Sequence, residues 1–181
     1  DGKWYLICTN VSGGGNYIIT SDRPEGPWSE PHYLGQSAPG IDPSLFFDDD
    51  GTCYYIGTRD NHNGPKYYGD NDIWIQKVDL ETFRMEDEPH FVWNGALRDV
   101  AWPEGPHLYK KDGWYYIMYA EGGTGPHHSV CIVRSREIFG PYENNFRNPI
   151  ITHRHLGVNY PVQYVGHSDM IEAADGNWYM V

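Results

Sequence analysis

Nothing in this sequence of 181 residues approaches the ~18 consecutive apolar residues of a membrane-crossing helix, and no signal peptide can be read from it. Basic residues are scarce. Lys and Arg together number 13 against 25 Asp and Glu, the net charge is −12, and no basic run occurs. A phosphate backbone or an anionic membrane surface needs a basic face, so neither is an expected partner. Cysteines number three, an odd count, and Cys8, Cys53 and Cys131 all fall inside apolar runs. That excludes a disulfide framework and predicts buried free thiols. Helical periodicity is nearly missing too, since the one stretch with some helical character, VDLETFRMEDEP, is broken by Pro89. The chain also lacks an initial Met, opening on Asp1-Gly2 and stopping inside the apolar run Trp178 to Val181. We expect it to be part of a longer chain, cut through a repeat at each end.

Aromatics and turn formers are abundant instead: 15 Tyr and 7 Trp beside 21 Gly and 13 Pro. Such a composition suits short strands punctuated by turns, and the expected class is all-β. An internal repeat supports it. DGKWYLICT at Gly2, DGTCYYIGT at Gly51, DGWYYIMYA at Gly113 and DGNWYMV at Gly176 are four copies of one Asp-Gly hairpin followed by an aromatic-rich strand. Units of roughly 40 to 60 residues with several strands each read as propeller blades. The single domain 1–181 then divides into units of about 1–35, 36–94, 95–160 and 161–181, the end of one blade, two full blades and the start of another. In the second unit the strands are IDPSLFF, TCYYIGT, NDIWIQKVD and FRMEDEPHFVW.

Nine residues before the last three turn glycines stand Asp42, Glu104 and His167. One acid before a strand is usually a solvated loop residue. Equivalent positions of successive blades surround one axis, however, so three ionisable groups at one offset, flanked by Pro43, Gly105, Pro106 and Gly166, predict convergence on one pocket. Other clusters read as structural. Asp48, Asp49 and Asp50 occupy a turn, where Asp bonds its own backbone and faces water. His127 and His128 are adjacent and fit no common zinc spacing, and His153 and His155 lack a nearby third ligand. The two Gly-Pro-aromatic stretches, ending at Trp28 and Tyr142, read as turns over a packed ring. The polar loop RDNHNGPKYYGDN suits a rim position near a ligand.

Two carboxyl groups from different elements facing one pocket are what glycosidic bond cleavage requires. Mutual repulsion would raise one pKa and keep Glu104 protonated as a general acid while Asp42 stays ionised. Trp102 could stack on a sugar ring or serve as core. Taken together, IDPSLFFDDDG, EGPHLYKKDGWYYIMYAEGGT, NPIITHRHLG and VGHSDMIEAADGNWYMV resemble glycoside hydrolase family 43, in the branch of β-xylosidases and α-L-arabinofuranosidases. The resemblance implies a five-bladed propeller and an inverting, exo-acting hydrolase acting on xylan, arabinoxylan or arabinan, hence xylo- or arabino-oligosaccharide ligands. It implies Glu104 as general acid, Asp42 as the group that tunes and orients it, and His167 near a channel axis where a water or a calcium ion sits in many members. A secreted or periplasmic location fits it better than a cytoplasmic one. The family's general base is an Asp in a segment of the first blade, and no residue here matches that segment. This stretch alone is therefore expected to be inactive and, through its cut edges, to self-associate. A carbohydrate-binding propeller without catalysis is the alternative. Sialidases are disfavoured because FFDDDGTCYY lacks Ser and Thr at the positions where their repeated box has them, and WD or kelch signatures do not occur.

Overall fold

The computed structural model describes residues 2–97 and 99–181, so Asp1 of the first expected Asp-Gly turn lies outside the described residues. The first sheet holds β1 (Trp4–Asn10), β2 (Gly15–Ser21) and β3 (His32–Tyr33) in that order. A four-stranded meander follows: β4 (Ile41–Phe47), β5 (Cys53–Asp60), β6 (Asn71–Asp79) and β7 (Arg84–Trp93). The third sheet repeats it with β8 (Glu104–Lys111), β9 (Trp114–Glu121), β10 (Ser129–Ser135) and β11 (Glu143–Asn144), while β12 (Ile151–Thr152) returns onto β10. A hairpin of β13 (Met170–Glu172) and β14 (Trp178–Met180) begins a fourth. All pairings are antiparallel, and β4 lies beside both β1 and β8, so the sheets succeed one another as blades.

The middle blade shows why its strands read as continuous apolar runs. Tyr54, Ile56, Ile73 and Ile75 point into the core shared with the third blade, alongside Leu108, Ile117, Tyr119 and Val133. Their alternating neighbours, Cys53, Tyr55, Trp74 and Val78, pack against Ile18 and Leu34 of the first. Side chains on a strand alternate between faces, so a sheet covered on both sides is apolar at every step. Across β1, by contrast, Trp4, Leu6 and Cys8 are exposed while Tyr5 and Ile7 face the second blade's core. Cys8 thus departs from the expected burial, because β1 is covered on one face only. Cys53 and Cys131 are buried free thiols.

Two further details differ from expectation in instructive ways. Asp79 stops any helix in VDLETF by accepting hydrogen bonds from the backbone N–H of Glu81 (2.7 Å) and the hydroxyl of Thr82 (2.6 Å), which closes a turn between β6 and β7. Asp48 does not simply face water. Its carboxylate receives the Lys110 ammonium and, at 2.6 Å, the Tyr115 hydroxyl, tying the hairpin of one blade to the next. Partial burial would raise its pKa, but these donors outweigh that and hold it below the ordinary value. Asp50 behaves as expected, accepting from Thr52 N–H at 2.9 Å.

Candidate active site

Strands β4 and β8 both enter the structure through a bulge. Ile41 pairs with Thr58 and Ser44 with Ile56, leaving Asp42 and Pro43 opposite one residue. Glu104 pairs with Ala120 and His107 with Met118, leaving Gly105 and Pro106 in the same relation. Within each bulge the first residue is left-handed, with φ 52° at Asp42 and 58° at Gly105, and His167 adopts the same conformation at 54°. The structural counterpart of Asp42 and His167 is therefore Gly105, and Glu104 stands one residue earlier. Counting from the turns hid this slip because the β8–β9 turn is a residue tighter.

The three expected residues nonetheless meet around Gly105. Its N–H donates to Asp42 Oδ2 at 3.2 Å. Its missing side chain makes room for His167, whose ring atoms would lie 2.8 Å from a Cβ placed there. On either side, the carbonyls of Pro103 and Pro106 accept from Thr58 Oγ1 and Ser44 Oγ, each at 2.7 Å. Both hydroxyls are buried and belong to the second blade. Three hydrogen bonds from that blade thus fix the backbone that carries Glu104. Sequence inspection missed Ser44 and Thr58, although a polar residue inside an apolar strand was the available signal. Asn16 repeats the arrangement one blade earlier, donating to Ala38 O and to the Tyr55 hydroxyl, both at 2.9 Å.

Burial pushes the Glu104 carboxyl up from 4.5 to about 7, and repulsion from Asp42 adds to it. Repulsion was the anticipated cause; burial is the larger one. A carboxyl in that range keeps its proton near neutral pH and can still give it up, which is the property of a general acid. Neighbouring groups frame the site. His107 sits 3.4 Å from Asp169 Oδ1, and burial lowers its pKa against the pull of that carboxylate. Asp169 also accepts from the Tyr109 hydroxyl at 2.6 Å, joining β8 to the last hairpin.

Trp102 is partly buried and fills a gap between two rim loops. Its ring abuts Gly69 and Gly123, where a Cβ would approach to 2.9 and 2.6 Å, and the backbone N–H of Trp102 donates to Gly69 O at 2.7 Å. Tyr68, 86% exposed, meets the indole edge-on at 5.0 Å. His127 is exposed and His128 buried, so the adjacent pair faces two ways. His153 bonds Val162 O at 2.8 Å as a loop histidine. Among the described residues no three His, Cys, Asp or Glu side chains gather so as to hold a metal ion.

Comparison with known proteins identifies the family. The sequence profile of glycosyl hydrolases family 43 matches residues 1–181. A xylosidase/arabinosidase of Butyrivibrio fibrisolvens is 58% identical over 182 residues, covering 100% of this chain and 35% of that protein. Two solved structures superpose on 99% of the chain: a GH43_12 protein retrieved from a capybara gut metagenome (TM-score 0.87, 35% identity, 37% of its length) and the xylan β-1,4-xylosidase of Bacillus halodurans C-125 (TM-score 0.83, 36% identity, 35% of its length). The chain spans about a third of the length of the relatives it matches. These matches place the chain in glycosyl hydrolases family 43, and its sheets are part of a β-propeller.

Proposed function

We propose that this chain supplies the acid half of a glycosidase site that removes terminal β-xylosyl or α-L-arabinofuranosyl residues from hemicellulose with inversion. The observation that carries the reading is the Glu104 carboxyl, raised to about 7 in a backbone segment pinned by the neighbouring blade and faced by Asp42. In this reading Glu104 protonates the glycosidic oxygen as the C–O bond breaks, and Asp42 holds that proton in place beforehand through its charge and its bond to Gly105 N–H. Water attacks the anomeric carbon from the opposite face and loses its proton to a base. No candidate for that base has been identified in these residues, so this stretch alone is proposed to be inactive. The name of the Butyrivibrio relative supports both sugars equally.

A calcium ion near His167 is not needed for any of these steps. Among the described residues no three His, Cys, Asp or Glu side chains gather to hold it, so waters would have to complete its oxygen shell. Self-association is proposed through β1, which ends its sheet and exposes Trp4 and Leu6. No helix among the described residues is long and apolar enough to cross a membrane.

The test uses nitrophenyl xyloside and arabinofuranoside with this chain and with the intact relative from Butyrivibrio. The relative should turn over at least one substrate and lose roughly 10²–10⁴-fold on replacement of its counterpart of Glu104 by Gln. This chain should hydrolyse neither while still titrating Glu104 near 7. Turnover by the chain itself would overturn its proposed inactivity. A Gln variant of the relative with undiminished rate would overturn the assignment of the acid.

A further inference from the structure

Residues 161–169 carry His167 to the site without belonging to any strand. Two of them, Tyr164 and His167, hold left-handed backbone at φ 58° and 54°, a conformation that costs a residue bearing a Cβ and persists only where surroundings impose it. The imposing contact comes from the third blade. His128, at the end of the β9–β10 loop, is 4% exposed, with its Nδ1 2.9 Å from the carbonyl oxygen of Tyr164. Gly166 lies so close against the same ring that a Cβ there would be 2.4 Å from Cδ2 and Nε2. His128 is itself fixed, its carbonyl accepting from Thr152 Oγ1 and its N–H donating to Gly125 O, both at 3.0 Å.

The tautomer follows from the partners. A carbonyl only accepts, so Nδ1 carries a proton, and in the neutral ring Nε2 then has a lone pair. That Nε2 is buried without a hydrogen-bond partner among the described residues. An apolar side chain would fill the space without leaving such an orphan, so the gain from an imidazole here is its Nδ1–H. The residues it restrains, Tyr164 and Gly166, stand three and one positions before His167, whose ring covers Gly105, the glycine next to Glu104.

We propose that His128 is a positioning residue for the candidate active site: by holding Tyr164 and Gly166 it sets the imidazole of His167 over Gly105. Its importance for catalysis rests on the reading of Glu104 as the acid, whereas the placement of His167 does not. The experiment is nuclear Overhauser spectroscopy of this chain, following cross-peaks between the His167 ring and the Gly105 α-protons in wild type, His128→Leu, His128→Asn and Gly166→Ala. Asn can present an amide N–H where Nδ1 stood. The proposal expects His128→Leu to lose the cross-peaks while those of Tyr55 with Trp74 persist, and His128→Asn to restore them. Survival of the contact in His128→Leu, or its loss in His128→Asn as well, overturns the proposal. Should His128→Leu fail to fold, Gly166→Ala takes its place: loss of the contact in a folded protein supports the proposal, and retention overturns it. If that variant also fails to fold, the contact determines the fold rather than the place of His167, and the proposal falls. Carboxyl ¹³C titration of Glu104 in the wild type reports separately. An ordinary value there would sink the acid assignment and leave the result on His167 standing.

Discussion

The second and third blades begin their inner strands with the same backbone and opposite side-chain choices. In the second, the left-handed position of the bulge carries a carboxylate, Asp42; in the third it carries Gly105, and the carboxylate moves back to Glu104. The difference divides the work. A glycine at that point lets one N–H reach Asp42 and one ring face, His167, settle on the backbone, while the acid beside it stays partly buried. What is repeated between blades is the path of the chain, and what is specialised is where along that path the charge is placed.

Making the third blade resemble the second should break the arrangement most severely. Gly105→Ala adds a Cβ to a left-handed residue and drives it into the His167 ring, for an expected loss of about 2–4 kcal/mol in urea unfolding. Next come the hydroxyls that join the blades. Ser44→Ala or Thr58→Val leaves the carbonyl of Pro106 or Pro103 buried without its donor, costing about 1–3 kcal/mol each by the same measurement. The converse exchange, Asp42→Gly, should be mild, within about 1 kcal/mol, since a strained backbone is relieved as a hydrogen bond is lost. Its informative readout is Glu104, whose carboxyl should titrate lower than about 7 in ¹³C spectra yet remain above 4.5, because burial is the larger cause of its shift. A return to 4.5 would mean that charge rather than burial governs the acid.

Stability should also depend on pH. Folded Glu104 keeps its proton up to about 7, whereas the unfolded chain releases it near 4.5. Between these values the folded state binds more protons, so this residue's contribution to stability is greatest below 4.5, declines as pH rises through the window and levels off above about 7. Glu104→Gln should remove that slope from a series of unfolding curves. A slope that persists unchanged would assign it to other groups.

Much of this was legible in the residues. Asp-Gly turns followed by aromatic runs located the hairpins at Gly51, Gly113 and Gly176, and apolar runs marked β5, β6 and β9 because those strands carry apolar side chains on both faces. The meeting of Asp42, Glu104 and His167 was readable from their common distance to the turns. Its register was not, since the one-residue step of the acid back from the bulge and the shorter β8–β9 turn cancel in a count of residues. Nor could the turn pattern show that Asp48 reaches Lys110 and Tyr115, or that Cys8 lies on the uncovered face of β1. Both depend on which sheet lies alongside, and periodicity within a strand carries no information about that neighbour.

The hydroxyls of Ser44 and Thr58 sit in one repeat and restrain the acid of another. Each copy of a duplicated unit would ordinarily be free to drift once duplicated. Here a change at those two positions of the second copy disturbs the backbone of the third that carries Glu104, so the two repeats are structurally coupled, and a graft that transplants the Glu104 hairpin into another scaffold must bring the preceding blade with it.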